Sequence, residues 1–142
     1  MVTMARHPRP VGVFGVVATQ NKFAMRRDQL LTMVGQLPEH EADPVAGYLR
    51  SGAIVMPIME QSRDIIGGQF SVPGGSAILT DGAYYWRCDT AEYVQHYRLG
   101  LPADFVSHGR ATGWQCPAVD RESLMAIEQL LAVQWGQRPV IG

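Results

Sequence analysis

Three carboxylates, Glu60, Asp64 and Asp81, flank a stretch rich in β-prone residues. Gathered at one sheet end, they would suit a hard cation, which takes several carboxylate oxygens. They could equally divide the work of acid and base. Each also has a simpler local use, and Asp81 before Gly82 is first of all a turn residue. His96 sits between Tyr93 and Tyr97. It is a candidate general base, and more simply a hydrogen-bonded, partly buried histidine. His108 is followed by Cys116. These are the residue types of a Cys–His nucleophile, which needs contact and a third, orienting group. A small enzyme using the carboxylates or His96 is therefore the alternative to a binding role.

No fingerprint assigns a cofactor. Gly12-x-x-Gly15 lacks the third glycine of a dinucleotide loop. Gly67-Gly68 and Gly74-Gly75 are not followed by the Gly-Lys-Ser/Thr of a phosphate loop. The 4 histidines have no i,i+4 pair, and no Cys-x-x-Cys occurs, so no metal site is expected. Cys88 and Cys116 could form one disulfide, but free, partly buried thiols are expected of a cytoplasmic chain.

The elements that must position these residues follow from periodicity and punctuation. Val11 to Ala18 is apolar and β-branched, a strand despite Gly12 and Gly15. Asn21 caps a helix whose stripe is Phe23, Arg27, Leu30, Leu31, Val34 and Leu37, ended by Gly35 and Pro38. Asp43-Pro44 starts a second helix, closed by Gly52. Ala53 to Met59 carries Pro57, which suits an edge strand. Short strands follow at Asp64–Ile66 and Gln69–Val72, and Pro73-Gly74-Gly75 turns the chain. Asp89 and Glu92 form a capping pair for a helix stopped by Gly100. A short helix carries Phe105 and Val106, and Asp120 caps the last helix, with Leu124, Ile127, Leu130, Leu131 and Trp135 as its stripe.

The clearest local signal is Asp81-Gly82 between two β-prone runs, the mark of a type I′ hairpin. With those two residues as the loop, Leu79 faces Tyr84 and Ile78 faces Tyr85. Strand alternation then puts Ala77, Leu79, Tyr84 and Trp86 on a face that packs under the helices. Ser76, Ile78, Thr80, Ala83, Tyr85 and Arg87 share a half-wet face. Tyr and Arg are enriched at binding hot spots. Tyr85, Arg87, Asp81, Ile78 and Thr80 are accordingly the candidate partner-binding residues.

Clustered strands between helices, without regular alternation, indicate an α+β fold. We expect an antiparallel sheet with a central hairpin, packed by several helices mainly on one face. Residues 1–10 read as a flexible lead-in and 11–142 as one domain. The 142 residues carry 12 basic and 13 acidic side chains, a net charge of −1. That balance offers no basic field for nucleic acid. No run approaches the ~20 apolar residues of a membrane span, and the run after Val11 is too short and unflanked for a clear secretory signal.

Ile78-Leu79-Thr80-Asp81-Gly82-Ala83-Tyr84-Tyr85-Trp86-Arg87, then Tyr93-Val94-Gln95-His96-Tyr97 and Leu101-Pro102-x-Asp104-Phe105-Val106, together form a distinctive pattern. With Tyr48-Leu49-x-x-Gly52 upstream, it resembles small bacterial α+β immunity proteins encoded beside polymorphic toxins. The resemblance covers residues 44–108. It implies a non-enzymatic, cytoplasmic protein that binds and blocks a toxin, and it transfers no catalytic residue. A homodimer joined through the edge strand containing Pro57 is a further expectation.

Overall fold

A computed structural model describes residues 9–11, 27–57 and 59–134. Strand β1 is Arg9–Pro10, followed by α1 (Arg27–Leu31), α2 (Glu39–Arg50) and β2 (Ala53–Met56). Then come β3 (Gln61–Arg63), β4 (Ser71–Pro73), β5 (Ile78–Thr80) and β6 (Tyr84–Arg87). Helices α3 (Thr90–Tyr97), α4 (Ala103–Ala111) and α5 (Arg121–Gln134) complete the described chain. The main sheet has the order β1-β6-β5-β2, and β3 and β4 form a second, two-stranded sheet. Among the described residues, only β1 runs parallel to its neighbour; the other pairs are antiparallel. The fold is α+β, with the β5–β6 hairpin at the centre of the main sheet.

The hairpin closes one residue later than its sequence suggests. Leu79 pairs with Trp86 and Thr80 with Tyr85, so Gly82 and Ala83 form the loop. Among the two, only Gly82 has positive φ (98°). A type I′ turn needs positive φ at both central residues, which a non-glycine adopts reluctantly. The loop instead places glycine first, where positive φ costs least. The slip moves each partner by two residues, so the assignment of side chains to faces survives.

One face carries the larger core. Tyr48 and Leu49 of α2, Ala91 and Val94 of α3 and Phe105 of α4 pack on Leu79, Tyr84 and Trp86. The Trp86 indole N–H donates to the Leu49 carbonyl at 2.9 Å, which satisfies its buried polar atom. The opposite face is not half-wet. Ile127 and Leu131 of α5 cover Val55, Ile78 and Tyr85 in a second, smaller core.

Several boundaries differ from the sequence reading. Helix α2 begins at Glu39 after Pro38, and Pro44 lies inside it. Pro44 costs one helical hydrogen bond, but the chain entering at Pro38 has no N–H to lose. The strand expected at Asp64–Ile66 lies at Gln61–Arg63, because the Asp64 carboxylate instead folds the next residues into a turn. Asp89 stands at the start of α3 but makes no side-chain cap there; its oxygens are taken elsewhere. Asp120 does cap α5, accepting from the Ser123 N–H at 2.8 Å. Arg9 and Pro10, the last two residues of the expected lead-in, pair with β6. The expected strand beyond Val11 and the Asn21 cap lie outside the described residues, as does Trp135 of the expected stripe of the last helix.

Candidate functional site

The hairpin turn draws Asp81 inward rather than outward. Its Oδ1 accepts the N–H groups of Ala83 and Tyr84, both at 2.8 Å. Its Oδ2 accepts the Tyr48 hydroxyl and lies 3.1 Å from His108 Nε2. Thr80 closes the same turn, donating to the Tyr84 carbonyl and accepting from the Gly82 N–H. Burial and the Asp81 carboxylate push the Tyr48 phenol well above its ordinary range. This is a hydrogen-bond acceptor saturated by four donors. It fixes where α2 and α4 meet the hairpin.

The Cys–His idea fares differently in its two halves. His108 and Cys116 both belong to the surroundings of Asp81. Burial, and then the Asp81 charge, push the Cys116 thiol up to about 11. A nucleophilic cysteine needs the opposite shift, because the thiolate is the reactive form. Cys88 rises for the same first reason, burial. Both thiols are free and partly exposed.

Asp64, Asp89 and Glu41 are likewise engaged. Asp64 accepts the Tyr97 hydroxyl and the N–H groups of Ile66 and Gln69. Burial alone would raise it, yet the Tyr97 hydroxyl and those N–H groups hold it below the usual carboxylate range. Asp89 receives Arg87 through Nε at 3.1 Å and a terminal nitrogen at 2.8 Å, and the Ser62 hydroxyl at 2.9 Å. The Arg87–Asp89 pair is fully buried, and burial pushes Asp89 up against the pull of the guanidinium. Gly75 is required beside it, because a Cβ there would lie 1.9 Å from the Ser62 oxygen. Glu41 holds the Arg110 guanidinium by two bonds, at 2.8 and 2.6 Å.

His96, Asp81 and Glu60 are not brought together. His96 lies against the Phe70 ring and beside Glu92, while Glu60 is exposed before β3. Among the described residues, no group of three or more His, Cys, Asp or Glu is placed to hold a metal ion.

The candidate partner-binding residues require a correction. Ile78, Thr80 and Tyr85 are 0% exposed, Arg87 1% and Asp81 6%. A partner cannot reach them while α5 lies over Ile78 and Tyr85 and Asp89 holds Arg87. The sequence reading counted strand alternation but had no means of placing α5, some forty residues downstream, on that face.

Accessible apolar surface occurs beside β2 instead. There a cleft of about 350 Å³ has Ala77 and Leu79 in its lining, with Ile54, Pro57, Pro73 and Arg50 around them. Ile54 is 59% exposed, and nearby in the chain Met59 is 92% exposed. The sequence signal for this edge was present in Pro57, but its exposed Ile54 was not singled out. Among the described residues no helix is long and apolar enough to cross a membrane. Compared with known proteins, the chain matches no family model, no curated protein and no solved structure.

Proposed function

We propose that this chain is a non-enzymatic, cytoplasmic protein-binding module that blocks a bacterial toxin, as an immunity protein does. The observation that carries the reading is the apolar shelf beside β2. An edge strand with an exposed isoleucine and an adjoining cleft is a surface that soluble chains normally blunt or cover. The partner is a protein that seats an apolar side chain against Ile54 and Pro57. Support also comes from Asp64, Asp81 and Asp89, whose carboxylates are committed to internal hydrogen bonds that hold the fold together. The free thiols of Cys88 and Cys116 accord with a reducing compartment.

The test is capture and rescue with the product of a neighbouring toxin-domain gene. The chain is expected to bind that protein and restore growth of cells producing it. Ile54→Arg should weaken binding at least tenfold while the protein melts as before. Absence of binding and rescue with every neighbouring product overturns the reading. Binding indifferent to Ile54→Arg removes the shelf as its site.

A further inference from the structure

The main sheet has a second edge, and it is already occupied. Three residues of the chain itself lie along β6. The Arg9 N–H donates to the Ala83 carbonyl at 3.2 Å, and the Val11 N–H to the Tyr85 carbonyl at 2.9 Å. Pro10 falls between them, pairing with Tyr85 in a parallel register. At that position the ladder asks no N–H toward β6, so a proline costs nothing. Val11 is buried in the main core. The Arg9 guanidinium meets the Asp104 carboxylate at 2.6 Å and the Tyr84 hydroxyl at 2.8 Å, and stands 5.0 Å from the centre of the Tyr84 ring.

The edge therefore reads three features of an extended segment. Carbonyls of Ala83 and Tyr85 accept its main-chain N–H groups. Asp104 and Tyr84 form a seat for a cation. An apolar seat lies two residues further on. Main-chain bonds give such strand addition its affinity, and alternate side-chain seats give it selectivity.

We propose that the β6 edge is a strand-binding site for an extended partner segment carrying Arg or Lys and, two positions later, an aliphatic residue. Residues 9–11 are its resident occupant and are exchangeable for that segment. Charge complementarity names the occupant's sign, because the seat is built on the Asp104 carboxylate and an electron-rich ring face. The resident is held by its ladder with β6, one buried apolar side chain, a hydrogen bond and ring contact to Tyr84, and an ion pair whose two side chains are each about half exposed. The proposal goes beyond the toxin-binding reading, since it concerns the other edge of the sheet and needs no toxin for its test.

The test titrates a fluorescent peptide with the sequence of residues 6–13 into the full chain bearing Arg9→Ala and Val11→Ala, followed by anisotropy. The weakened chain is expected to bind the peptide saturably, at least tenfold tighter than the unaltered chain does. Glutamate in place of the peptide's second arginine should cost at least tenfold. Asp104→Lys in the weakened chain should reverse the preference between the two peptides. Absence of saturable binding by a weakened chain with native circular dichroism overturns the proposal, as does binding indifferent to Asp104→Lys. Should the double variant not fold, Arg9→Ala alone, truncating a half-exposed side chain, carries the same titration and the same two outcomes.

Discussion

The two faces of the β5–β6 hairpin are built by the same alternation but covered unequally. On one face Leu79, Tyr84 and Trp86 meet three helices, α2, α3 and α4. On the other Ile78 and Tyr85 meet a single helix, α5. The first face is closed by elements on both sides of the hairpin in sequence. The second depends on one helix at the far end of the described chain. Alternation fixes which side chains share a face; it does not fix what lies over that face. The comparison also implies that α5 is the covering element most easily lost, because its removal uncovers a small cluster and not the main core.

Truncation separates the faces most sharply. Trp86→Ala should destabilise by about 3–5 kcal/mol, because it opens a cavity among Tyr48, Phe105 and Leu49 and leaves the Leu49 carbonyl without its indole donor. Chemical denaturation would measure it, and a cost below that of a core Ile→Val change would break the comparison. Leu131→Ala on α5 should cost about 2–3 kcal/mol, at the low end for a buried leucine, since a small cluster under one helix can partly collapse. Hydrogen exchange should then show α5 opening before the rest. Uniform loss of protection across both faces would mean that α5 is not a separable cover.

The turn joining the two strands tests a different link. Asp81→Asn keeps the size but turns one carboxylate oxygen into an N–H₂ donor. That donor must face either the backbone N–H groups or the Tyr48 and His108 side. We expect a cost of about 1–3 kcal/mol, the range for leaving buried polar groups unsatisfied. The anchoring of α2 and α4 should loosen while β5 and β6 stay paired. Thermal melting with amide exchange at Tyr48 and Tyr84 distinguishes this from a uniform loss.

The parts of this architecture legible in the sequence are those with local causes. The hairpin, the Asp120 cap and the apolar stripe of α5 follow from neighbours in the chain. The Gly82-Ala83 turn was missed by one position because Asp-Gly signals a loop without deciding which pair of residues forms its centre. Asp89 looked like a cap because it precedes a helix, yet Arg87 and Ser62 claim its oxygens. Those claims come from a buried cation two residues away and a hydroxyl on another strand, which no spacing rule encodes. The same holds for Tyr48 on Asp81 and Tyr97 on Asp64, whose partners are 33 residues apart in each case. The candidate binding surface failed for this reason: it required knowing the position of α5, a long-range fact.

The smallest expected effect concerns an ion pair at the rim of the well-covered face. Arg110 binds Glu41 with two hydrogen bonds, but its side chain is 55% exposed, so solvent screens much of the attraction. Arg110→Ala should lower stability only slightly at pH 7. The hydrogen bonds from Arg110 hold the Glu41 carboxyl below its ordinary value of 4.5. A carboxyl lowered in the folded state contributes stability above its unfolded value and loses it as pH falls through the folded one. The difference between wild type and Arg110→Ala should therefore be constant near neutrality, begin to shrink below about pH 4.5, and close in stronger acid. Urea midpoints at descending pH measure it. A difference that persists after Glu41 is protonated would assign the role of Arg110 to the packing of its side-chain stem rather than to charge, and would mean that the rim of this face is held by apolar contact, as its centre is.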